Sequence, residues 1–361
     1  MQTLTEQLAP TLLRWYDEGV RAMPWRCDPQ PYRVFVSEIM LQQTRVEAAT
    51  PYFLRFVEQL PTVSALAAAD EEQLLKLWEG LGYYNRVRNM QRAAQRMVEQ
   101  YGGELPADFE ALRSLPGIGD YTAGAIASIA FGLRHPAVDG NVLRVFARLL
   151  CSEADIASPA GKRELTAVVE QCLPHERVGD FNQALMELGA MVCLPNGRPL
   201  CESCPAGALC AARAQARQEE LPVKTPKKAR RVEQRTVLIL MDERGRIALR
   251  KRPEGGLLAG LWEPVALEGR ISASVLVTTL RRWGLTALPQ PLPGARHIFT
   301  HVEWRMKGWC VQVPEDEKPT LQQSLQCELH WVPADRHDGH AVPAAYAAYV
   351  KGGRQPGADS E

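Results

Sequence analysis

Four cysteines and two carboxylates carry most of the chemistry that this chain's residue types and spacings allow. Cys193, Cys201, Cys204 and Cys210 lie in MVCLPNGRPLCESCPAGALC, a Pro- and Gly-rich stretch too irregular for helix or strand. The spacing C-x7-C-x2-C-x5-C suits metal ligation rather than a disulfide framework. Structural zinc sites draw on two short Cys or His pairs, whereas this loop has one short pair and no histidine. Iron–sulfur clusters take four thiolates across longer gaps. The spacing therefore favours an iron–sulfur cluster, with zinc or a metal-free loop as alternatives.

The carboxylates are Glu38, in FVSEIMLQQT, and Asp139, in AVDGNVLRVFARLL. A Glu flanked by Val36, Ile39, Met40 and Leu41 can sit at an apolar edge, where desolvation keeps it protonated near neutrality. Helical geometry puts Glu38, Gln42 and Arg45 on one face, and the plainer reading is that this face is solvated. Asp139 precedes an apolar helical pattern, where an Asp is ordinarily an N-cap; capping and an ionised catalytic role are compatible. Between the two acids, LPGIGDYTAGA sets Gly117 and Gly119 ahead of a helix starting near Asp120. Such a turn can simply join helices. It can also direct backbone N–H groups outward at a helix N-terminus and hold a phosphate.

Helices must position these groups. Val36, Ile39, Met40 and Val46 recur at helical spacing. DEEQLLKLWEG opens on acids at Asp70 and closes on Gly80, and a further helix is expected from Tyr84 to Tyr101, with Arg88, Arg92 and Arg96 as one basic face. The pattern changes after a basic, Pro-containing segment. RTVLILMDERGRIALRKRP reads as two strands about a turn, SASVLVTTLRRWG as a helix, and GWCVQVP and ELHWVP as further strands. The expected organisation is an all-α domain over 1–212, a basic linker over 213–234, an α+β domain over 235–350 and a disordered tail over 351–361.

The bulk properties agree with more than one domain, at 361 residues, 46% hydrophobic and 23% charged. Lys+Arg and Asp+Glu are both 42, so net charge excludes no class of partner. The N-terminus has no basic-then-apolar leader and no run of eighteen apolar residues occurs, which points to a soluble, reducing compartment where structural disulfides are disfavoured. Cys27, Cys151, Cys172, Cys310 and Cys327 show no ligand spacing and are expected to pack.

The cysteine loop, the Gly-rich hairpin and SEIMLQQT together resemble the endonuclease III and MutY group of helix-hairpin-helix DNA glycosylases, over most of the chain. That family has six residues in the first cysteine gap, against seven here. The resemblance implies a multidomain protein: an all-α helix-hairpin-helix glycosylase domain with an Fe–S cluster loop, then an α+β Nudix-like domain. It implies a [4Fe–4S] cluster on Cys193, Cys201, Cys204 and Cys210 that shapes a DNA-binding loop. It also implies that Glu38 protonates a flipped adenine while Asp139 stabilises the sugar cation and activates water, supported by Tyr121 and Asn141. Bifunctional relatives carry a lysine where Tyr121 stands; a phenol forms no imine, so a monofunctional glycosylase is expected.

The same resemblance assigns DNA and base contacts. Tyr83 would intercalate beside the base opposite adenine, with Gln42 and Gln43 filling the vacated stack. Trp25, Arg26, Leu41 and Gln183 match adenine-pocket positions, and Thr44, Arg88, Gly117 and Gly119 belong to the DNA-binding set. Phe299, Thr300 and His301 stand where the MutY branch carries a Phe-Ser-His loop near 8-oxoguanine. The expected helix SASVLVTTLRRWG carries no acid, so lesion recognition rather than Nudix hydrolysis is expected of the second domain. The implied substrate is double-stranded DNA with adenine opposite 8-oxoguanine or guanine, and the implied setting is a cytoplasmic, nucleoid-associated bacterial monomer without membrane contact. The alternatives are an endonuclease III-like glycosylase/lyase for oxidised pyrimidines and a non-catalytic Fe–S DNA-binding module.

Overall fold

Capping side chains and apolar periodicity set the helices of this protein, here described from a computed structural model covering residues 2–19, 21–195, 197–226, 229–334, 336–337 and 339–350. The expected tail at 351–361, and Lys227 and Lys228 of the basic segment, lie outside the described residues. In chain order the first helices are α1 (Gln2–Asp17), α2 (Pro24–Cys27), α3 (Pro31–Leu41), α4 (Val46–Gln59), α5 (Val63–Ala68), α6 (Glu71–Leu77) and α7 (Asn85–Tyr101). They are followed by α8 (Phe109–Arg113), α9 (Asp120–Phe131), α10 (Gly140–Leu149), α11 (Pro159–Cys172), α12 (Val178–Glu187) and α13 (Ala211–Ala214). Next come β1 (Arg231–Asp242), β2 (Arg246–Lys251), β3 (Trp262–Glu268), α14 (Ala273–Arg282), β4 (Gln290–Ile298), β5 (Val302–Val313), α15 (Lys318–Leu325), β6 (His330–Pro333) and α16 (Ala347–Val350). The chain divides into two units: residues 1–69 with 85–227, and residues 70–84 with 228–361.

Among the described residues of the first unit, the regular elements are all helices. Leu8 and Leu12 of α1 join Val142 and Phe146 of α10, Leu165 and Val169 of α11, and Phe181 and Leu185 of α12 in one buried cluster. Burying apolar side chains of this kind stabilises by about 1.5–3 kcal/mol each. Caps fix where several helices begin. Asp108 accepts the Ala111 N–H ahead of α8, and Ser158 accepts the Gly161 N–H ahead of α11.

The second unit holds a six-stranded sheet in the order β4-β5-β1-β3-β2-β6, with β1 and β5 parallel and the remaining neighbours antiparallel. The second half of β1 is buried on both faces, so Val237 and Ile239 enter one core while Leu238 and Leu240 enter the other. The β1–β2 turn is tied by Asp242, whose carboxylate accepts the Arg244 and Arg246 N–H groups. Residues 70–84 join this unit although they lie far from it in sequence. Lys76 Nζ donates to His337 O at 3.0 Å, Glu79 Oε1 accepts the Val342 N–H at 3.0 Å, and Lys251 pairs with Glu72 at 3.1 Å.

Two expectations need correction. Gln42 and Arg45 do not continue the face of Glu38, because α3 stops at Leu41. Gln43 turns into the left-handed region at φ 59°, and the Arg86 guanidinium takes the carbonyls of Ile39, Met40 and Gln42, the last at 2.5 Å. Cys27 does not pack: it is exposed, because the single turn of α2 buries Trp25 instead. Cys172 and Cys310 are buried, and Cys151 and Cys327 are half-buried.

Candidate active site

Within the first unit, α2, α3, α9, α12 and the start of α10 wall a cleft of about 430 Å³. Its lining includes Trp25, Arg26, Glu38, Leu41, Thr44, Tyr121, Asp139, Asn141 and Gln183, so nine of the sequence-selected positions meet there. Gln42 is turned aside, and its Nε2 donates to Thr122 Oγ1 at 3.2 Å.

Glu38 is buried, and the Tyr121 hydroxyl donates to its Oε2 at 2.8 Å. Burial pushes the Glu38 carboxyl up to about 7; the Tyr121 hydrogen bond and the Arg26 charge oppose that rise, and the Asp139 charge adds to it. Burial likewise raises the Tyr121 phenol well above its ordinary value, with the Glu38 and Asp139 charges adding to the effect. Near neutrality a large fraction of Glu38 therefore carries a proton and can donate it. Asp139 has different surroundings. Its Oδ1 accepts the N–H groups of Asn141 and Val142, both at 2.8 Å, which makes it the N-cap of α10. Its Oδ2 accepts from Asn141 Nδ2 at 2.7 Å. The two carboxylates thus combine a protonated donor and a hydrogen-bonded acceptor across one cleft.

Asn141 is itself held. Arg144 Nη2 donates to Asn141 Oδ1 at 2.9 Å and to Gly189 O at 2.8 Å, while Arg144 Nε donates to Cys193 O at 2.9 Å. Gly189 lies in a single π-helical turn, Leu188–Val192, that follows α12. A Cβ on Gly189 would fall 2.7 Å from Asn141 Cβ, so only glycine lets this turn approach so closely. Neither Arg144 nor Gly189 carries any spacing signal in the sequence.

Sequence reasoning also missed Glu187 and Arg21. Glu187 is buried, and its Oε1 accepts from Arg26 Nη2 at 3.0 Å and Arg21 Nη2 at 2.9 Å, while its Oε2 accepts from Arg21 Nε at 2.9 Å. No short motif links these residues, which only the fold brings together.

The hairpin ahead of α9 has one glycine with a clear requirement. Gly117 has φ 78°, and a Cβ there would lie 2.7 Å from Asn89 Cβ. Gly119 is extended, with open space at its Cβ position, and it caps α9 without a side-chain hydrogen bond. The first-turn amides of α9 are thus the kind that bind an anion. Arg88 is half-buried on α7.

The four loop cysteines line one cavity, enclosed by Val145, Leu149, Leu188 and Val192 together with Arg148 and Arg213. Two 3-10 turns, Cys201–Ser203 and Gly207–Leu209, shape the loop. Arg148 Nη1 lies 3.2 Å from Cys193 Sγ, and the Cys210 thiol donates to Arg148 O at 3.4 Å. Burial pushes the Cys204 thiol up to about 11. Among the described residues, no three Cys, His, Asp or Glu side chains form the tight constellation that one metal ion needs.

In the second unit, Tyr83 and Thr300 meet, with their hydroxyl oxygens 2.9 Å apart. Tyr83 adopts φ 50°, so Gln43 and Tyr83, both selected from the sequence as stack-filling or intercalating residues, share a strained left-handed backbone. Phe299 packs edge-on to Trp304 at 4.8 Å and to His297 at 4.5 Å, and its N–H donates to Val302 O, which fixes the turn carrying Thr300 and exposed His301. Trp304 is anchored in turn, with Arg235 4.0 Å above its ring and Glu233 accepting its Nε1–H at 2.9 Å. Among the described residues, no helix is long and apolar enough to cross a membrane.

Residues 36–171 match the family model of the HhH-GPD superfamily base excision DNA repair proteins, and residues 236–352 match that of the NUDIX domain. The chain is 35% identical to the adenine DNA glycosylase of Homo sapiens, over 96% of this chain and 74% of that protein. It is 39% identical to the adenine DNA glycosylase of Rattus norvegicus, over 81% of this chain and 68% of that one. Among solved structures it is similar to a thermostable thymine-DNA glycosylase (TM-score 0.54, 25% identity, 59% of this chain and 98% of that). It is also similar to an endonuclease III in a non-covalent DNA complex (TM-score 0.50, 25% identity, 60% and 98%).

Proposed function

The chain belongs to the adenine DNA glycosylase family, and from that premise we propose that it hydrolyses the glycosidic bond of adenine opposite 8-oxoguanine or guanine, with Glu38 as general acid. It is a base excision repair glycosylase that binds DNA and removes adenine. The observation that carries the proposed mechanism is the pairing, in one cleft, of buried Glu38 under the Tyr121 hydroxyl with Asp139 held by Asn141.

A base within a duplex must leave the stack to be reached. The flipped adenine enters the cleft between Trp25, Leu41 and Gln183. Glu38 gives its proton to a ring nitrogen of the base, and the glycosidic electron pair departs with the adenine. The sugar is left electron-poor at C1′. Asp139 faces it as a fixed negative charge and takes a proton from the water that attacks there. Asn141 keeps the Asp139 carboxylate oriented, and Tyr121 holds Glu38. No amine stands at position 121, so the backbone is not cut through an imine.

Cys193, Cys201, Cys204 and Cys210 would hold a [4Fe–4S] cluster, for which four thiols around one largely apolar cavity with Arg148 beside Cys193 are a suitable donor set. When bound, the cluster cross-links the loop and supplies no bond chemistry. Gly117, Gly119 and Arg88 contact the DNA backbone, and Gln42, Gln43 and Tyr83 fill and wedge the stack. The loop Phe299–His301 reads the base opposite adenine, and the Tyr83–Thr300 contact supports that assignment. The domain reading that accompanies this function is a glycosylase domain over 1–212, a linker over 213–234 and a recognition domain over 235–350.

Release of free adenine from an 8-oxoguanine:adenine duplex and from a guanine:adenine duplex tests this reading. Glycosylase action leaves an abasic site on an intact strand, and borohydride traps no protein–DNA adduct; a trapped adduct would refute the monofunctional mechanism. Thr300→Ala should erode the preference for 8-oxoguanine more than it slows release opposite guanine. Equal losses on both duplexes would remove Thr300 from recognition.

A further inference from the structure

We propose that Glu233 is a positioning residue for lesion recognition: with Trp304 and Arg231 it forms a clasp that grips both ends of the loop 299–301 and holds it, before DNA arrives, in the shape that separates 8-oxoguanine from guanine. The inference rests on the reading of that loop as the one that meets the base opposite adenine, and extends it to the residues beneath the loop.

The clasp runs from one end of the loop to the other. At the leading end, Phe299 packs edge-on to Trp304 with ring centroids 4.8 Å apart. Trp304 is fully buried, and its Nε1–H donates to Glu233 Oε2 at 2.9 Å. The other oxygen, Glu233 Oε1, accepts from the Arg231 guanidinium. At the trailing end, the Arg231 backbone N–H donates to His301 O at 3.2 Å. From Phe299 through Trp304, Glu233 and Arg231 to His301, the circuit closes on the loop from both sides. The short Phe299 N–H to Val302 O bond, at 2.8 Å, closes the turn itself.

Strand register brings these residues together. β1 and β5 run parallel, with Arg231 beside Val302 and Glu233 beside Trp304. Side chains alternate along a strand, so Arg231, Glu233 and Arg235 share one face of β1. Arg235 stacks 4.0 Å above the Trp304 ring and donates to Glu233 Oε2 at 3.0 Å. Glu233 therefore bonds to Arg231, Arg235 and Trp304 together, and charge-assisted bonds of this kind are the strong ones. A loop that is ordered before binding loses none of its contact energy to being ordered on binding. Loosening the clasp should thus weaken recognition of the base opposite adenine and leave the chemistry of the first unit's cleft alone. A purely fold-stabilising network has no such selectivity.

Adenine release is measured opposite 8-oxoguanine and opposite guanine, each at subsaturating enzyme and as the saturating single-turnover rate. Glu233→Gln removes the charge that the three donors share. It should lower the subsaturating preference for 8-oxoguanine by about tenfold, with the saturating rate opposite guanine within about twofold of wild type. Trp304→Leu should do the same, and Trp304→Phe, which keeps a ring against Phe299, should lose less than Trp304→Leu. Thermal scans identify the folded variants, and half-buried Glu233→Gln decides the matter if Trp304→Leu does not fold. Rates that fall by one factor opposite both bases, or a wild-type preference in folded Glu233→Gln, overturn the inference. Thr300→Ala separates this outcome from failure of the loop reading. An unchanged preference in Thr300→Ala, or a wild type with no preference, overturns the loop reading and the clasp with it. A preference lost in Thr300→Ala but kept in Glu233→Gln overturns the clasp alone.

Discussion

Glu38 carries a stability cost that its position makes measurable. Its carboxyl rises from 4.5 to about 7 in the folded protein, so the fold binds this proton more tightly than the unfolded chain does. The resulting stabilisation is present in full below the ordinary carboxylate range and is lost as pH rises through about 7. Glu38→Gln should therefore unfold at a higher temperature than wild type at pH 8, by at most about 3 kcal/mol of stability, and gain little at pH 5. Thermal scans at the two pH values check this; an equal change at both would contradict it. Tyr121→Phe removes a hydrogen bond that favours the anion, so the alkaline limb of base release should move to higher pH. A limb that moves down would contradict this. At this scale the sequence was informative where a residue's neighbours in the chain were also its neighbours in space. The apolar flanks of Glu38 marked it, and Asp139 was recognisable as a cap. Glu187 was not, because FNQALMELGA looks like any half-solvated helix until Arg21 and Arg26, 166 and 161 residues away in sequence, fold onto it.

Among the elements, the ends of helices position the site more than their middles do. Helical periodicity located α3, α7 and α14, and the alternation of RTVLILMDERGRIALRKRP located β1 and β2. The end of α3 was not legible, since its terminating carbonyls are taken by Arg86, 44 residues beyond Gln42. The π-helical turn after α12 was equally hidden, although it carries Gly189 against Asn141. Gly189→Ala has no room for its methyl, so Asn141 must shift and loosen its hold on Asp139. We expect a stability loss of about 1–3 kcal/mol together with slower base release. Wild-type kinetics in a folded Gly189→Ala protein would show that the close approach is incidental. The spacing of the cysteine loop favours metal ligation from the sequence alone, whereas the loop's coupling to Asn141 through Arg144 appears only once the chain is folded.

For the whole molecule, the two-part organisation was evident from the change of pattern after the basic segment. The assignment of residues 70–84 was not, because DEEQLLKLWEG reads as one more helix of the first part. In the structure its Lys76, Glu79 and Glu72 bond to residues of the second unit. Removing residues 229–350 should therefore make 70–84 an early site of limited proteolysis, while adenine release opposite guanine persists and the preference for 8-oxoguanine falls. Protection of 70–84 in the shortened chain would contradict that grouping. The proposed acid chemistry involves residues of the first unit and is tested most directly by single-turnover adenine release from an 8-oxoguanine:adenine duplex by wild type and Glu38→Gln at neutral pH. General-acid catalysis by Glu38 predicts a fall of about 10²–10⁴-fold in the variant, with duplex binding retained. Release at the wild-type rate by a folded, DNA-bound Glu38→Gln protein would contradict it.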